Sequence, residues 1–331
     1  MSIPTATLSR YVNRVESERK GGSAELSDLL TAISLGVKVI AQLVATAGFR
    51  GLQGYSGTTN VQGEQTYKLD DEADDILVKL LGSSGHFGSL VSEERDGAIE
   101  TDVVKKGAKY VVAFDPLDGS SNIGSNIPVG TIFTIFHVRD VDKGASVSDF
   151  LQKGRDIAAA GYSVYGAKTS FVYSAGLGVH GFTLDPAIGE FVLTEESMQI
   201  PDFGKTYSVN EGYWKKWSKE QQDFIMGLKT GDNSASRAYT GRYVGSLVAD
   251  FDRNLRKGGI FLHPSNTERA RGKLRLLYEC IPLAFIAEQA GGVAIDGDIN
   301  VLDIEPKDIH ERCPFIVGGK DDVALYRKSF S

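Results

Sequence analysis

The most informative segment of this chain reads Tyr110-Val111-Val112-Ala113-Phe114-Asp115-Pro116-Leu117-Asp118-Gly119-Ser120-Ser121-Asn122. Its first five residues are apolar and mostly β-branched or aromatic, which predicts a buried strand. Two carboxylates, a glycine, two hydroxyls and an amide follow where that strand ends. Carboxylates suit a hard cation, and a glycine turn with free backbone N–H groups suits a phosphate. The segment therefore indicates phosphoryl chemistry, although Asp-Pro and Asp-Gly are also ordinary turn dipeptides.

A second pair of acidic residues, Glu93 and Glu94, follows the apolar run Leu90-Val91-Ser92. Adjacent acids on a protein surface are usually no more than solvated charge. At the end of a second strand, however, they are like charges that a cation would neutralise. Open α/β sheets bind ligands in a crevice at the carboxyl ends of their strands. We therefore expect both carboxylate-bearing strand ends to face one crevice.

The composition predicts a globular protein of about two domains, since the chain has 331 residues, of which 41% are hydrophobic. The formal net charge is −7, from 36 basic and 43 acidic residues. Because the basic residues form no long run, the sequence argues against a nucleic-acid partner. An anionic substrate such as a sugar phosphate stays open.

The two cysteines, Cys280 and Cys313, are too few for a disulfide framework, which is typical of a reducing compartment. We expect both to be structural. No apolar run reads as long enough to span a membrane, and Met1-Ser2-Ile3-Pro4-Thr5 lacks a signal-peptide core. The chain ends in Ser329-Phe330-Ser331, which is not a peroxisomal signal. These features predict a cytoplasmic protein with no membrane partner.

The spacing of apolar residues predicts helices and strands along the whole chain. Helices are expected at about Ala24–Ala47 (N-cap Ser23, end at Gly48), Asp71–Leu81, Asp149–Ala160, Trp217–Leu228, Val244–Arg256 and Leu274–Ala290. Strands are expected at Thr131–Phe136, within Thr169–Leu193 and at Gly259–Leu262. This mixture predicts a layered α/β fold with two halves, 1–200 and 201–331.

One glycine motif is misleading. Gly176-Leu177-Gly178-Val179-His180-Gly181 has the spacing of a dinucleotide-binding fingerprint. A functional fingerprint opens a helix, whereas Phe182-Thr183-Leu184-Asp185-Pro186 continues as strand and turn. We therefore expect no nucleotide binding there.

The chain resembles the class I fructose-1,6-bisphosphatases over nearly its whole length. The motifs that carry this resemblance are Ser92-Glu93-Glu94, Lys109-Tyr110-Val111-Val112 leading into 115–122, Tyr207-Ser208-Val209-Asn210-Glu211-Gly212-Tyr213, Arg242-Tyr243-Val244-Gly245-Ser246 and Gly272-Lys273-Leu274-Arg275-Leu276-Leu277-Tyr278-Glu279. The motif at 115–122 taken alone is shared with the wider inositol-monophosphatase-like superfamily. The resemblance implies a layered αβαβα fold with its active site between the two halves. It also implies magnesium-dependent removal of the 1-phosphate of fructose 1,6-bisphosphate in gluconeogenesis, with Mn²⁺ or Zn²⁺ as possible substitutes for Mg²⁺.

The resemblance also implies roles for individual residues. The metal ligands would be Glu93, Glu94, Asp115, the Leu117 carbonyl, Asp118 and Glu279. Asp70 and Glu94 would activate the attacking water. Substrate would be bound by Asp118, Gly119, Ser120, Ser121, Asn210, Tyr213, Arg242, Tyr243, His263 and Lys273. Arg242 resembles an arginine that reaches into a neighbouring subunit's site, which implies a homotetramer.

Each of these roles has an ordinary structural alternative. Glu279 falls in a predicted helix and could be a plain salt-bridge partner, and Arg242 could be a surface arginine. Tyr213 and Tyr243 could be half-buried aromatic residues, and Asp70 could be a helix N-cap. The chain also departs from the family pattern, because Glu64 replaces a usual aspartate and His263 a usual tyrosine.

An AMP-inhibition site is only partly matched. The segment Ser23-Ala24-Glu25-Leu26-Ser27 and the pair Lys109-Tyr110 resemble the family's nucleotide site, and a helix that starts at Ser23 can bind a phosphate. His137, however, replaces an arginine. Allosteric inhibition by AMP therefore stays an open expectation. Two other functions also stay open, a sedoheptulose-1,7-bisphosphatase and a non-catalytic sensor of sugar phosphate or AMP.

Overall fold

The computed structural model describes residues 6–18, 22–59, 65–85, 87–100 and 107–330. Glu64 lies outside these ranges. The α-helices are α1 (Leu8–Glu18), α2 (Ala24–Arg50), α3 (Lys68–Ser84), α4 (Lys219–Thr230), α5 (Leu247–Lys257), α6 (Ile281–Gln289) and α7 (Lys320–Lys328). The strands are β1 (Tyr55–Thr59), β2 (Gln65–Tyr67), β3 (Phe87–Ser92), β4 (Ile99–Glu100), β5 (Tyr110–Asp118), β6 (Val129–His137), β7 (Ile157–Tyr165), β8 (Thr169–Ser174), β9 (Val179–Asp185), β10 (Glu190–Met198), β11 (Thr206–Ser208), β12 (Thr240–Gly241), β13 (Ile260–His263), β14 (Leu274–Arg275), β15 (Val293–Ile295), β16 (Arg312–Cys313) and β17 (Phe315–Gly318).

Two main sheets organise the chain. The large sheet has the strand order β10-β9-β8-β7-β6-β5-β3-β4, and the small sheet has the order β12-β11-β13-β17-β15. Within the large sheet, β3 and β5 pair in parallel, so both strands end at the same edge. The remaining pairs of that sheet are antiparallel. This parallel pair is what brings the two predicted carboxylate-bearing strand ends together.

Three apolar clusters show that the fold has five layers. Side chains alternate along β5, so Val112 and Phe114 pack with helices α1, α2 and α3, whereas Val111 and Ala113 pack with α5 and α6. The α5–α6 layer also contacts one face of the small sheet, and the other face of that sheet packs against α4 and α7. The predicted αβαβα layering is therefore confirmed.

The strand predicted at 110–114 is confirmed and extends to Asp118. All nine residues of β5 are buried. A strand covered on both faces buries apolar side chains in succession, which explains its unbroken apolar run. As a consequence, both carboxylates that follow this run lie on the strand itself, inside the protein.

The helix predicted at 149–160 is wrong. The chain there makes two short 3₁₀ turns, Val147–Asp149 and Gly154–Asp156, and then enters β7. β7 pairs with β6 on one side and β8 on the other, and Gly161 lets it pass close to Phe133, whose ring lies 2.5 Å from where a Cβ would stand. The helix preference of three consecutive alanines is overridden by this position in the middle of the sheet.

Helix α2 begins as predicted and ends later. The Ser23 hydroxyl accepts a hydrogen bond from the Leu26 N–H at 3.4 Å, so the predicted N-cap is confirmed. The helix passes Gly48 and stops at Gly51, which has a left-handed φ of 66°. A glycine inside a helix is tolerated, whereas the left-handed residue ends it.

Helix α2 also corrects the membrane analysis, because it has 27 residues and an 18-residue window in it has a mean hydropathy of 1.8, which is enough to reach membrane-spanning length and composition. Leu29, Leu30, Ile33 and Val37 are fully or almost fully buried against the rest of the protein, and 44% of that window is buried. A helix that packs one face against the core of a protein has this same composition.

Candidate active site

A cavity of about 510 Å³ opens where the large sheet, the small sheet and α3 meet. It is lined by fifteen of the predicted catalytic, metal and substrate residues: Asp70, Glu93, Glu94, Asp115, Leu117, Asp118, Gly119, Ser120, Ser121, Asn210, Tyr213, Tyr243, His263, Lys273 and Glu279. Arg242 is exposed and lies outside this lining. Side chains from distant parts of the chain therefore share one space.

Three carboxylates form the centre of the cavity. Asp115 and Asp118 come from the end of β5, and Glu279 comes from the turn before α6. Their ligand oxygens all lie within 4.8 Å of one another, and the residues are only 2%, 8% and 5% exposed. An all-oxygen cluster of this size fits a hard divalent cation.

Burial and mutual repulsion perturb these acids. Burial, with repulsion from Glu93 and the other acids, raises the pKa of Asp115 well above its usual range. Burial raises the pKa of Asp118 to about 6, against hydrogen bonds that lower it. Burial and then Glu93 raise the pKa of Glu279 to about 8. Such groups are stabilised as carboxylates only if positive charge is supplied among them.

Glu279 does not lie in the regular helix that the sequence predicts for 274–290. That segment forms the short strand β14, then a single π-helical turn at Leu276–Cys280, and only then α6. π-Helical turns are often found at functional sites because they redirect one side chain. Here the turn carries Glu279 into the cavity.

Arg275 is a buried residue of the site that the sequence analysis did not assign. Its backbone N–H donates to the Glu279 carboxylate, and its guanidinium lies 3.5 Å from a Glu93 oxygen. The side chain is 2% exposed. No local sequence signal marks this pairing, because Arg275 lies in β14 and contacts Glu279 through its backbone N–H.

Asp118 joins the two halves of the chain. Its carboxylate accepts hydrogen bonds from the Ser246 hydroxyl at 3.1 Å and from the Val248 N–H at 2.9 Å, at the start of α5. Nearby, the Asn122 amide donates to the Gly245 carbonyl at 3.0 Å. Ser246 lay within a motif, but its pairing with Asp118 was missed.

The turn after Asp115 is a real turn as well as part of the site. The Asp115 carboxylate accepts the Leu117 N–H at 2.9 Å across Pro116. Gly119 has a φ of 77°, and a Cβ there would lie 2.9 Å from the Ser246 Cβ. The hydrogen bond within the turn and the left-handed glycine therefore hold the two aspartates against the start of α5.

Glu93 and Glu94 follow β3 beside the end of β5. The Glu93 N–H donates to the Phe114 carbonyl at 3.1 Å, which continues the parallel pairing beyond the strand. The Glu94 N–H donates to the Ser92 hydroxyl at 3.3 Å. Both side chains are half-buried and line the cavity, as the sequence predicted.

Asp70 is the third residue of α3, not its N-cap. One carboxylate oxygen accepts the Tyr67 N–H at 2.9 Å. The other, Oδ1, is buried and has no hydrogen-bond partner among the described residues. Burial raises the pKa of Asp70 to about 7. The residue thus helps to start the helix and is also part of the lining of the cavity.

The small-sheet side of the cavity is lined by polar residues. His263 ends β13 beside Tyr213, with ring centroids 6.5 Å apart. Burial, aided by the charges of Lys273 and Arg269, lowers the pKa of His263 to about 4. Its buried Nδ1 has no hydrogen-bond partner in the described chain. A neutral imidazole beside a lysine therefore faces the cavity, where Asn210 and Tyr243 also lie.

The residues of the expected AMP site cluster at the opposite end of β5, where Tyr110 precedes Asp115 by five residues, or about 17 Å at the usual strand rise. Glu25 forms an ion pair with Lys109 at 2.6 Å, and that contact, with Ser23, lowers the Glu25 pKa to about 2. The rings of Tyr110 and His137 lie 5.4 Å apart. Ala24, Leu26 and Ser27 form the first turn of α2.

Comparison with known proteins assigns the family. The family model "Fructose-1-6-bisphosphatase, N-terminal domain" matches residues 6–196, and the corresponding C-terminal domain matches residues 200–330. A "Fructose-1,6-bisphosphatase class 1" of Chlorobium luteolum is 45% identical over 320 residues, which are 96% of both chains. One of Chlorobaculum tepidum is 46% identical over 304 residues, 92% of this chain and 91% of the relative.

A solved structure agrees with these matches. The Leishmania major fructose-1,6-bisphosphatase in holo form superimposes with a TM-score of 0.91 and 38% sequence identity, covering 98% of each chain. Sequence and fold therefore agree over nearly the whole length. The chain belongs to the class 1 fructose-1,6-bisphosphatase family.

Proposed function

We propose that this protein hydrolyses the 1-phosphate of fructose 1,6-bisphosphate and releases fructose 6-phosphate and phosphate. The observation that carries the proposal is a single cavity that combines clustered acids with a cation and neutral donors. Asp115, Asp118 and Glu279 gather in it, and Lys273 and His263 line it as well. A bisphosphate needs both kinds of group, one for the phosphate that reacts and one for the phosphate that anchors the sugar.

We propose Mg²⁺ as the native cation, with Mn²⁺ or Zn²⁺ as substitutes. Asp115, Asp118 and Glu279 would hold it, joined by Glu93, Glu94 and the Leu117 carbonyl. Support comes from the donor set, since carboxylate and carbonyl oxygens suit Mg²⁺, whereas structural zinc sites use thiolate and imidazole ligands. When bound, the ions would polarise the phosphoryl oxygens and lower the pKa of a bound water.

Two acids would act on the attacking water. Asp70 lines the cavity and has a buried Oδ1 without a hydrogen-bond partner among the described residues, and its pKa of about 7 makes it a proton acceptor near neutral pH. Glu94 lines the same wall and would orient the water. The backbone N–H groups of Gly119, Ser120 and Ser121 would donate hydrogen bonds to the transferred phosphate. These bonds would stabilise the negative charge that the cation does not neutralise.

The distal phosphate would be bound at the small-sheet end. Lys273 supplies a positive charge, and Asn210, Tyr213, Tyr243 and His263 supply neutral hydrogen-bonding groups. Arg242, exposed at the edge of the small sheet, would enter the cavity of a neighbouring subunit in a homotetramer. Its position outside its own cavity supports that role.

We propose two functional halves, 1–200 and 201–331. All eight strands of the large sheet lie within 87–198, and all five of the small sheet lie within 206–318. The proposed division thus separates the expected AMP site and most of the acids from the sugar-binding residues. We also propose a cytoplasmic enzyme that AMP inhibits at Ser23, Lys109 and Tyr110.

Phosphate release from fructose 1,6-bisphosphate tests the proposed function. We expect release with Mg²⁺, none after EDTA treatment, and recovery when Mg²⁺ is restored. Glu94→Gln should abolish release and leave the fold intact, which separates an enzyme from a sensor.

Comparing kcat/KM with sedoheptulose 1,7-bisphosphate tests the substrate, and a preference for the seven-carbon sugar would overturn our assignment. For AMP, unchanged activity at millimolar AMP would exclude inhibition.

A further inference from the structure

We infer that His310 is a positioning residue that holds two of the acid-bearing segments of the proposed metal site, the loop after β3 and the turn before α6, at a fixed separation. It lies in the loop before β16 and does not line the cavity. It therefore acts through other residues and not on substrate. The inference rests on the proposed function, since a fixed separation matters only if the acids bind a cation.

His310 joins the neighbours of two predicted ligands. Its Nε2 lies 3.0 Å from the carbonyl oxygen of Arg95, the residue after Glu94. Its Nδ1 lies 2.9 Å from the hydroxyl of Tyr278, the residue before Glu279. One imidazole thus bridges the loop after β3 and the π-helical turn before α6.

One neutral tautomer satisfies both contacts. A carbonyl oxygen only accepts hydrogen bonds, so Nε2 must donate to Arg95. Nδ1 is then free to accept the Tyr278 O–H. The two rings also pack edge to face, with centroids 5.9 Å apart and planes at 72°. The orientation of the His310 ring is therefore fixed, because rotation of the ring would break both hydrogen bonds.

The Arg95 end of the bridge and His310 itself are held by further hydrogen bonds. The Arg95 guanidinium donates to Asp74 at 2.6 Å and to Asp75 at 2.9 Å, both on α3. The His310 backbone N–H donates to the Asp308 carboxylate at 2.8 Å. Because α3 also carries Asp70, the network connects three of the four segments that bring acids to the cavity, the fourth being the end of β5.

The network has a clear physical task. The acids of the cavity come from segments that are far apart in the sequence, so a cation binds well where these segments are held together. Outer hydrogen bonds that fix the ligands preorganise the site, and their loss typically lowers metal affinity by about 10–100-fold. His310 is placed to supply such hydrogen bonds to both segments at once.

The test is Mn²⁺ binding to the metal-stripped full-length protein, measured by isothermal titration calorimetry. We expect His310→Ala and Tyr278→Phe each to weaken Mn²⁺ binding by about tenfold or more. His310→Gln retains a donor for the Arg95 carbonyl and should restore part of the affinity. At saturating Mn²⁺, kcat of each variant should return to within a few-fold of wild type. Lys307→Ala, an exposed residue of the same loop, is the matched control and should bind like wild type.

The outcomes separate the two proposals. If wild type binds Mn²⁺ and both His310→Ala and Tyr278→Phe bind it equally well, the positioning role is wrong, even if their melting temperatures fall. If wild type binds no Mn²⁺, the proposed metal-dependent function fails instead. If His310→Ala does not fold, Tyr278→Phe decides, because it removes one hydroxyl and keeps the aromatic ring.

Discussion

The Asp118 carboxylate accepts the Val248 N–H at 2.9 Å, so an acid of the proposed metal site also caps the start of α5 in the other half of the chain. Ser246 donates to the same oxygen at 3.1 Å. These bonds fix where the acid points, because both donors belong to the rigid start of a helix. Catalytic geometry and attachment of the two halves therefore depend on the same contact.

Gly119→Ala should disturb this contact. The φ of 77° is unfavourable for alanine by about 1–2 kcal/mol, and the new methyl would lie 2.9 Å from the Ser246 Cβ. Gly51→Ala is a matched control, with a φ of 66° and open space around it. We expect both variants to lose stability in urea unfolding, but only Gly119→Ala to lose activity as well. Equal activity of the two variants would show that Ser246 is not displaced.

Stability of the metal-free protein should fall as pH rises from about 4 to about 8. Burial raises the pKa of Asp118 from 3.8 to about 6 and that of Glu279 from 4.5 to about 8. In that range the folded protein binds more protons than the unfolded chain, so the free energy of unfolding decreases with pH. Melting temperatures of metal-free protein across this range, with Mg²⁺-loaded protein for comparison, check the sign. A metal-free melting temperature that rises with pH would contradict it.

Asp70→Asn should lower kcat by about 10²–10⁴-fold, the usual contribution of a general base. The asparagine oxygen can still accept the Tyr67 N–H, so the start of α3 and the melting temperature should be kept. Wild-type kcat should rise with pH through the pKa of the base, and this rise should be lost in the variant. A variant with wild-type kcat would remove Asp70 from the proposed mechanism.

His263→Ala should raise KM for fructose 1,6-bisphosphate by about tenfold or more, the value of a hydrogen bond to a charged group, with little change in kcat. Burial lowers the pKa of His263 to about 4, so the imidazole is neutral at pH 7. KM should therefore show no titration of His263 between about pH 6 and 8. Steady-state kinetics across this range measure both effects, and an unchanged KM in the variant would exclude the contact.

The sequence predicted those helices and strands whose apolar pattern follows directly from how they are buried. β5 is covered on both faces, so its apolar run was unambiguous, and the helical face of α2 was equally clear. β7 was not predictable, because its alanines favour a helix until β6 and β8 pair with them. The π-helical turn at Leu276–Cys280 has no periodic signal of its own.

The site was predictable only in part, for a related reason. Strand ends and turn chemistry located Asp115, Asp118, Glu93 and Glu94. Glu279 and the sugar-binding residues entered through family resemblance, since nothing local marks them. The partners that orient the acids lie far away in sequence, as the Val248 contact to Asp118 spans 130 positions. Such pairings depend on how the layers stack, which a local pattern does not encode.

Helices α5 and α6 come from the second half of the chain but cover one face of the large sheet in the first. A polypeptide truncated after Ile200 would therefore leave β5, β6 and β7 with an exposed apolar face and would be prone to aggregate. For the same reason, we do not expect either half to fold when it is transplanted into an unrelated protein. Expression and engineering of the enzyme therefore require the two halves together.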